Sequence, residues 1–265
     1  MNLVETLNWI AEQDRITITV LTGRGRFFSS GAMLNDPSRD PKFPPEAFTS
    51  KKPEDIKKVN EFYVSRVTLG NGRLARELTM FPKVLIGAVN GPAVGIMAAV
   101  LGHCDLLYSY DNFWLAVPFS SLGLVAEGLA SQTFVAKLGM GRAQEALLEG
   151  KRMDAQTMAQ TGFITRLLPR PSSASDFEAK SKQDKAYTLP ILEDVLHHIG
   201  DKLLPPTADP FALAYTKRII QRVNYDHLSR EEANQEELRG AETVFTSGIP
   251  LKQFARIAGG QRHKL

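Results

Sequence analysis

Nineteen consecutive residues without a charge, numbered 84–102, constrain the fold of this chain more than any other segment. Their length alone is close to that of a membrane-spanning helix. Asn90-Gly91-Pro92 lies in the middle, however, and this tripeptide would break a helix at that point. The segment is therefore predicted to form a buried strand at Val84–Val89, a tight turn and a short buried helix, and no membrane span.

The composition excludes several classes of protein. The 265 residues carry 32 lysines and arginines against 29 aspartates and glutamates, and a net charge of +3 is too small to indicate a nucleic-acid-binding surface. A hydrophobic fraction of 43% is ordinary for a globular protein with a sizeable core. The single cysteine, Cys104, excludes an internal disulfide and a cysteine-cluster metal site.

The histidines give no indication of a metal site, and none is expected. His197 and His198 are adjacent, but adjacent helical positions do not face one ligand, so this pair is predicted to be solvated. His103 stands beside Cys104 among apolar residues, and both are predicted to be core residues. No dinucleotide cofactor is expected either, because Phe28 occupies the third glycine position of the fingerprint that Gly23 and Gly25 begin.

Strand and helix patterns alternate over the first two-thirds of the chain. Helices are predicted over residues 2–13 and about 54–80. Further strands are predicted at Ile16–Val20, Leu106–Tyr110, Phe113–Val117 and Phe163–Leu168. From about residue 176 the patterns are almost entirely helical. The predicted class is therefore α/β, with a core at residues 1–170 and a helical region at residues 171–265.

Two glycine-containing turns follow apolar strands. The first turn is Gly25–Ala32, and the second is Asn90–Ile96, directly after Val84–Val89. Small residues let a ligand approach the backbone closely, and free N–H groups at such turns bind anionic oxygen atoms. The second turn also opens a helix, whose dipole adds to that attraction. These features fit an anion-binding site, and they equally fit packing turns of a buried sheet.

Glu127 is the third feature of interest. Its neighbours are mostly apolar, namely Leu124, Val125, Ala126 and Leu129. Burial among such residues makes a carboxylate a better proton acceptor, as a general base requires. The alternative is an acidic residue at a helix N-terminus, where the helix dipole favours it.

Taken together, these motifs resemble a known family. The motifs are Phe27–Ala32 (FFSSGA), Val89–Gly95 (VNGPAVG), Cys104–Tyr108 (CDLLY) and the stretch to Glu127. They resemble the enoyl-CoA hydratase/isomerase (crotonase) superfamily and, within it, the fungal peroxisomal Δ3,Δ2-enoyl-CoA isomerase branch, from about Leu3 to the C-terminus. The resemblance implies a spiral of ββα units with a helical C-terminal trimerisation region, assembled as homotrimers or hexamers.

The resemblance also implies an active site. The two oxyanion-hole amides of the family fall on Ala32 and Ile96, each of which follows a glycine, and the glutamate of the isomerase branch falls on Glu127. The substrate would be an acyl-CoA whose double bond moves from position 3 to position 2, without a cofactor. Substrate contacts are implied at Ser30, Gly31, Met33, Gly95, Phe119 and Leu122.

Three departures from the family pattern are visible. The two hydratase glutamates fall on Ala99 and Phe119, so hydratase activity is not expected. Met33 follows the oxyanion-hole alanine, where the family has an aspartate. The family also begins with some forty further residues that form an N-terminal hairpin and a loop contacting CoA. The hairpin is expected to be missing here, either because the sequence begins late or because part of the CoA site is lost.

The last three residues, His263-Lys264-Leu265, resemble the Ser-Lys-Leu peroxisomal address. Together with the family, they predict recognition by the peroxisomal import receptor and a peroxisomal location. A solvated basic tail is the alternative.

Two other functions remain open at this stage. One is a crotonase-family enzyme that acts on a specialised acyl-CoA in secondary metabolism. The other is a non-catalytic acyl-CoA-binding subunit.

Overall fold

The computed structural model describes residues 2–32, 50–122, 124–170 and 190–225, together with residues 232, 235, 238–241 and 243. Within these ranges no helix has both the length and the apolarity needed to cross a membrane. The uncharged segment instead forms a strand, a turn and a short helix, as predicted. Met33 and the C-terminal residues 263–265 lie outside the described residues.

Helices and strands alternate along the described chain. The helices are α1 (Leu3–Ala11), α2 (Pro53–Tyr63), α3 (Arg73–Thr79), α4 (Ile96–Leu101), α5 (Ala130–Leu138), α6 (Met140–Leu148), α7 (Ala155–Thr161), α8 (Pro190–Lys202) and α9 (Pro210–Tyr225). The strands are β1 (Ile18–Thr22), β2 (Val84–Val89), β3 (Ala93–Val94), β4 (Leu106–Tyr110), β5 (Trp114–Ala116), β6 (Met153–Asp154) and β7 (Arg166–Leu168). The helices and strands predicted among the described residues are present, and three strands are shorter or begin later than predicted.

The strands form two sheets. The larger sheet has the order β1-β2-β4-β7, and all its neighbouring strands are parallel. Its register sets Ile18 opposite Val84, which is why β1 begins two residues later than the Ile16 start predicted. The smaller sheet has the order β3-β5-β6. Parallel strands are usually covered on both faces, and every residue of β2 is indeed buried.

The structure confirms the extent of the long helix predicted over residues 54–80, but the helix is not α-helical throughout. Its middle, Val64–Gly72, is a π-helical segment that joins α2 to α3. Gly70 and Gly72 lie in this segment, and glycine is a weak α-helix former. π-helical turns are rare and are frequent at functional sites.

Alternate residues of β2 face two different hydrophobic clusters. Leu85 and Val89 belong to a cluster that also contains residues of α1, α4 and α5. Val84, Ile86 and Ala88 face the other side, where three residues of α8 cover them: Ile191, Val195 and Ile199. The C-terminal helical part therefore covers one face of the larger sheet. The boundary at residues 170 and 171 stays a prediction.

An ion pair with a buried lysine ties α9 to the larger sheet. The Nζ atom of Lys217 lies 2.7 Å from Oδ2 of Asp105, which precedes β4, and it donates to the carbonyl oxygen of Lys83 at 2.7 Å. The same Asp105 oxygen accepts the backbone N–H of Leu85 at 2.7 Å. Burial lowers the pKa of Lys217, and the Asp105 carboxylate opposes that shift. The charge of Lys217 thus depends on Asp105.

Replacing Asp105 should destabilise the fold. Asp105→Asn leaves Lys217 buried without its carboxylate, and we expect the free energy of unfolding to fall by about 2–4 kcal/mol in urea denaturation. Lys217→Met added to Asp105→Asn should recover part of the loss, because no unpaired charge is then buried. Asp111→Asn, at an exposed turn residue, is the matched control. Equal stability of Asp105→Asn and the control would contradict this role for the ion pair.

Candidate active site

The two predicted turns lie side by side. The backbone N–H of Phe28 donates to the carbonyl oxygen of Pro92 at 2.9 Å, and that of Val94 donates to the carbonyl oxygen of Ser29 at 2.9 Å. Ser29 and Ala93 form a parallel bridge between the turns. The chain therefore brings residues 25–32 and 90–96 to one place, at the carboxyl ends of β1 and β2.

Asn90 holds the first turn in place. Its Oδ1 atom accepts the backbone N–H of Gly23 at 3.0 Å, and its Nδ2 atom donates to the carbonyl oxygens of Gly25 at 2.7 Å and Phe27 at 3.2 Å. The adjacent Gly91 allows the two backbones to approach, because a Cβ there would lie 2.0 Å from the carbonyl oxygen of Arg26. The second turn thus shapes the first.

The amides predicted for the oxyanion hole follow two neighbouring glycines. Gly31 and Gly95 have φ angles of 88° and 69°, which favour glycine. A Cβ on Gly95 would lie 3.9 Å from the Cα of Gly31, so the two backbones are close. Ala32 and Ile96 come next in the chain. Ile96 is the first residue of α4, where N–H groups have no acceptor within the helix.

Glu127 lies beside the same helix. A Cβ on the next residue, Gly128, would lie 3.0 Å from Cδ1 of Ile96 and 3.1 Å from Cβ of Ala99, so this segment packs directly on α4. The Oε2 atom of Glu127 accepts a hydrogen bond from Nδ2 of Asn71 at 2.6 Å. One oxygen of the carboxylate is thereby held, and the structure brings the three predicted features together.

The predicted apolar burial of Glu127 is wrong for the single chain. Leu124 is 48% exposed, Val125 is 81% exposed, and Glu127 itself is only half-buried. These residues lie in an irregular segment after the 3₁₀ turn Ser120–Leu122, where local sequence does not dictate which side chains face inward. The alternative, an acidic residue at a helix N-terminus, stays a prediction, since Glu127 lies just before α5 and its carbonyl oxygen accepts the N–H of Ala130 at 3.2 Å.

The remaining predicted contacts fall into two groups. Gly31 and Gly95 line the junction of the two turns, whereas the side chains of Ser30 and Leu122 are exposed. Phe119 is only 4% exposed and belongs to the larger hydrophobic cluster. Substrate contact by these residues, and by Met33, stays a prediction.

Two residues near the site carry no functional signal in the sequence. Asn71 lies within a predicted helix, and its contact with Glu127 depends on the π-helical segment. His103 was predicted to be a core residue, but its Nε2 lies 2.8 Å from the carbonyl oxygen of Gly128. The neighbouring Cys104 is buried, as predicted. Of the other histidines, His197 is exposed, whereas the ring of His198 packs at 5.4 Å from that of Tyr108, so the prediction of a solvated pair holds only for His197.

No metal centre is visible in the described part of the chain, where no group of three histidine, cysteine or acidic side chains is close enough to hold an ion. Among the described residues, the groups brought together here are backbone amides, the carboxylate of Glu127 and the carboxamide of Asn71.

A parallel sheet whose strand ends carry two glycine turns, with a carboxylate beside the second, fits the fold that the sequence resemblance implies. The family model for enoyl-CoA hydratase/isomerase matches residues 1–180, and the chain belongs to that family. A solved enoyl-CoA hydratase/isomerase from Cupriavidus metallidurans CH34 superposes with a TM-score of 0.70 at 18% identity, covering 98% of this chain and 83% of that one. This likeness supports the fold.

Several sequence relatives are isomerases within this family. The chain is 34% identical to a Δ(3,5)-Δ(2,4)-dienoyl-CoA isomerase from Pyricularia oryzae, over 99% of this chain and 88% of that protein. It is 28% identical to a 3,2-trans-enoyl-CoA isomerase from Saccharomyces cerevisiae, over 97% and 84%. It is also 28% identical to a mouse protein described as enoyl-CoA delta isomerase 3, peroxisomal, over 65% of this chain and 49% of that protein.

The close approach at Gly91 can be tested by adding one methyl group. Gly91→Ala places a Cβ against the carbonyl oxygen of Arg26, and we expect the free energy of unfolding to fall by at least about 2 kcal/mol. Gly141→Ala is the matched control, because no atom lies within 4 Å of its Cβ position and the helix should gain up to about 1 kcal/mol. Chemical denaturation measures both. An unchanged stability of Gly91→Ala would mean that the turns are not packed as described.

Proposed function

We propose that this protein is an isomerase that moves the double bond of a 3-enoyl-CoA to position 2. The observation that carries the proposal is the position of Glu127, which packs through Gly128 on the helix whose first amide belongs to Ile96. Two of its relatives are an isomerase of dienoyl-CoA and an isomerase of enoyl-CoA, and both support a double-bond isomerisation.

The chemistry follows from these groups. Loss of a proton from C2 of a 3-enoyl thioester leaves a dienolate, with negative charge on the thioester oxygen. The N–H groups of Ala32 and Ile96 would donate to that oxygen, and one such donor typically contributes about 10²–10³ in rate. Glu127 would take the proton from C2 and return it to C4. The electrons of the C2–H bond form the new double bond between C2 and C3, and the π electrons of the former C3=C4 double bond form the new C4–H bond, so neither a second acid nor a cofactor is needed.

Asn71 gives the carboxylate a fixed orientation. Its hydrogen bond occupies Oε2 of Glu127, so Oε1 is the oxygen left for proton transfer. A positioned base is more effective than a freely rotating one, because the reacting atoms start close to their geometry in the transition state.

Hydration requires a carboxylate that activates water, and the two positions that would supply it hold Ala99 and Phe119. Ala99 is fully buried in α4, and Phe119 is packed in the core. These residues support isomerisation over hydration.

The relative from Pyricularia oryzae suggests a second candidate substrate, a 3,5-dienoyl-CoA. In that reaction the proton moves from C2 to C6, which are four bonds apart, whereas C2 and C4 are two bonds apart. One carboxylate serves the shorter transfer more readily, since it need not move between the two carbons. Glu127 as a single base therefore favours the 3-enoyl substrate.

We also propose that the protein is peroxisomal and forms homotrimers or hexamers. The terminal His263-Lys264-Leu265 and the peroxisomal relative from mouse support the location. Exposed apolar side chains around the site, among them Leu69 and Val125, support assembly with further copies.

Replacing Glu127 tests the mechanism. Glu127→Gln keeps the size of the side chain and removes the proton acceptor, so kcat should fall by about 10²–10⁴ while acyl-CoA binding changes little. Formation of the conjugated thioester, followed by its ultraviolet absorbance, measures kcat. Glu149→Gln, at an exposed position, should behave as wild type. Near wild-type turnover by Glu127→Gln would refute the assignment of the base.

A panel of three substrates tests the specificity. We expect kcat/KM to be highest for 3-enoyl-CoA, lower for 3,5-dienoyl-CoA, and at least about 100-fold lower for hydration of 2-enoyl-CoA, because Ala99 and Phe119 hold the positions that would supply a water-activating carboxylate. Preference for the dienoyl substrate would establish the second candidate. Binding of acyl-CoA without turnover of any substrate would favour a non-catalytic subunit.

Deleting residues 263–265 tests the location. A fluorescent protein fused to the N-terminus should be punctate and coincide with a peroxisomal marker, and the deletion should leave it cytosolic. His263→Ser should retain or strengthen the punctate pattern, because it restores the Ser-Lys-Leu address. Puncta that survive the deletion would argue against import through these residues.

A further inference from the structure

The loop that carries Glu127 has a backbone conformation that needs support. Gly128 and Leu129 have φ angles of 66° and 56°, and within the described ranges Leu129 is the one non-glycine residue with a positive φ. This region disfavours a residue with a side chain. The direction in which the Glu127 side chain leaves the backbone therefore depends on contacts that hold the loop.

One of these contacts is a side-chain hydrogen bond. Nε2 of His103 lies 2.8 Å from the carbonyl oxygen of Gly128. A carbonyl oxygen only accepts, so Nε2 carries the proton. Burial lowers the pKa of His103, although the Gly128 carbonyl opposes that shift. The neutral ring then keeps its single proton at Nε2, where it binds the loop.

The position of His103 links this bond to the other half of the site. His103 follows α4, and its backbone N–H donates to the carbonyl oxygen of Val100 at 3.0 Å, so it is attached to the last turn of that helix. The same helix begins with Ile96. One short rigid element therefore holds an oxyanion amide at its start and the loop of Glu127 at its end.

We propose that His103 is a positioning residue for Glu127. Its hydrogen bond fixes the peptide group between Gly128 and Leu129, one residue after Glu127, and thereby the distance between the carboxylate and the amide of Ile96. The inference rests on the proposed function, because it assigns to Glu127 the role of the base. It adds a residue whose side chain acts on the reaction only through the loop.

A second contact makes the inference testable without unfolding the protein. Lys137 of α5 donates from its Nζ atom to the carbonyl oxygen of Cys104, next to His103. The helix that follows the loop therefore stays attached to the end of α4 when the His103 side chain is changed.

The experiment compares three variants with wild type. His103→Leu removes the donor, and we expect kcat to fall by roughly 10- to 100-fold with KM within about twofold, the effect of a displaced catalytic group. His103→Gln places an amide N–H near the position of Nε2 and should recover kcat to within about threefold of wild type. His197→Leu, on the exposed face of α8, is the control. If His103→Leu does not fold, His103→Asn, whose amide is too short to reach Gly128, replaces it.

Combination with Glu127→Gln distinguishes positioning from a general structural effect. A residue that acts only through Glu127 should have no further effect, within about twofold, when Glu127 is already replaced. The inference is overturned if His103→Leu lowers the residual rate of Glu127→Gln as much as it lowers that of wild type. It is also overturned if kcat is unchanged in His103→Leu, or if His103→Gln is no better than His103→Leu.

Failure of the proposed function would appear separately, as a wild type that turns over neither 3-enoyl-CoA nor 3,5-dienoyl-CoA. Hydrogen exchange at the amides of residues 127–133 then decides the role of the contact. Faster exchange in His103→Leu than in wild type, restored in His103→Gln, supports the control of the loop by His103. Equal exchange in all three proteins overturns it.

Discussion

Parallel pairing of β1 with β2 is the constraint on which the site depends. Because the strands run in the same direction and in register from Ile18 and Val84, both leave the sheet at one edge. The turns that follow are then neighbours, and Asn90 joins them through three hydrogen bonds to the backbone of the first turn. No ligand is needed to bring the amides of Ala32 and Ile96 into one region, since the sheet does so.

The two halves of the site differ in what they require of the sequence. The proposed oxyanion donors are backbone groups, so their chemistry would survive a change of side chain provided that Gly31, Asn90, Gly91 and Gly95 keep the turns in shape. The proposed base, Glu127, is one side chain on an irregular loop, where Asn71 from the π-helical segment binds its carboxylate and His103 after α4 binds the carbonyl oxygen of Gly128. The geometry of the proposed base is therefore more sensitive to substitution than that of the turns, because it requires three side chains from separate parts of the chain to be correctly placed.

The two turns could be predicted from the sequence better than the surroundings of Glu127 could. The strand, turn and helix of residues 84–102 have a local signature in the uncharged run and its Asn-Gly-Pro interruption, and the structure confirms them. The contact of Asn71 with Glu127 joins residues 56 positions apart and needs a helix distortion, so no local sequence pattern predicts it. The exposure of Leu124 and Val125 was mispredicted for a related reason, since apolar composition does not reveal which way an irregular segment faces. His103 was assigned to the core because its neighbours are apolar, whereas its partner is a carbonyl group twenty-five residues away.

The covering of β2 by α8 has a consequence for biosynthesis. Val84, Ile86 and Ala88 emerge from the ribosome more than a hundred residues before Ile191, Val195 and Ile199, which shield them in the finished protein. Throughout that interval α8 is not available to cover this apolar face of β2, nor Tyr108 and Tyr110 of the neighbouring strand. Exposed apolar strand surface promotes aggregation, so the order of synthesis places the segment that protects this face last.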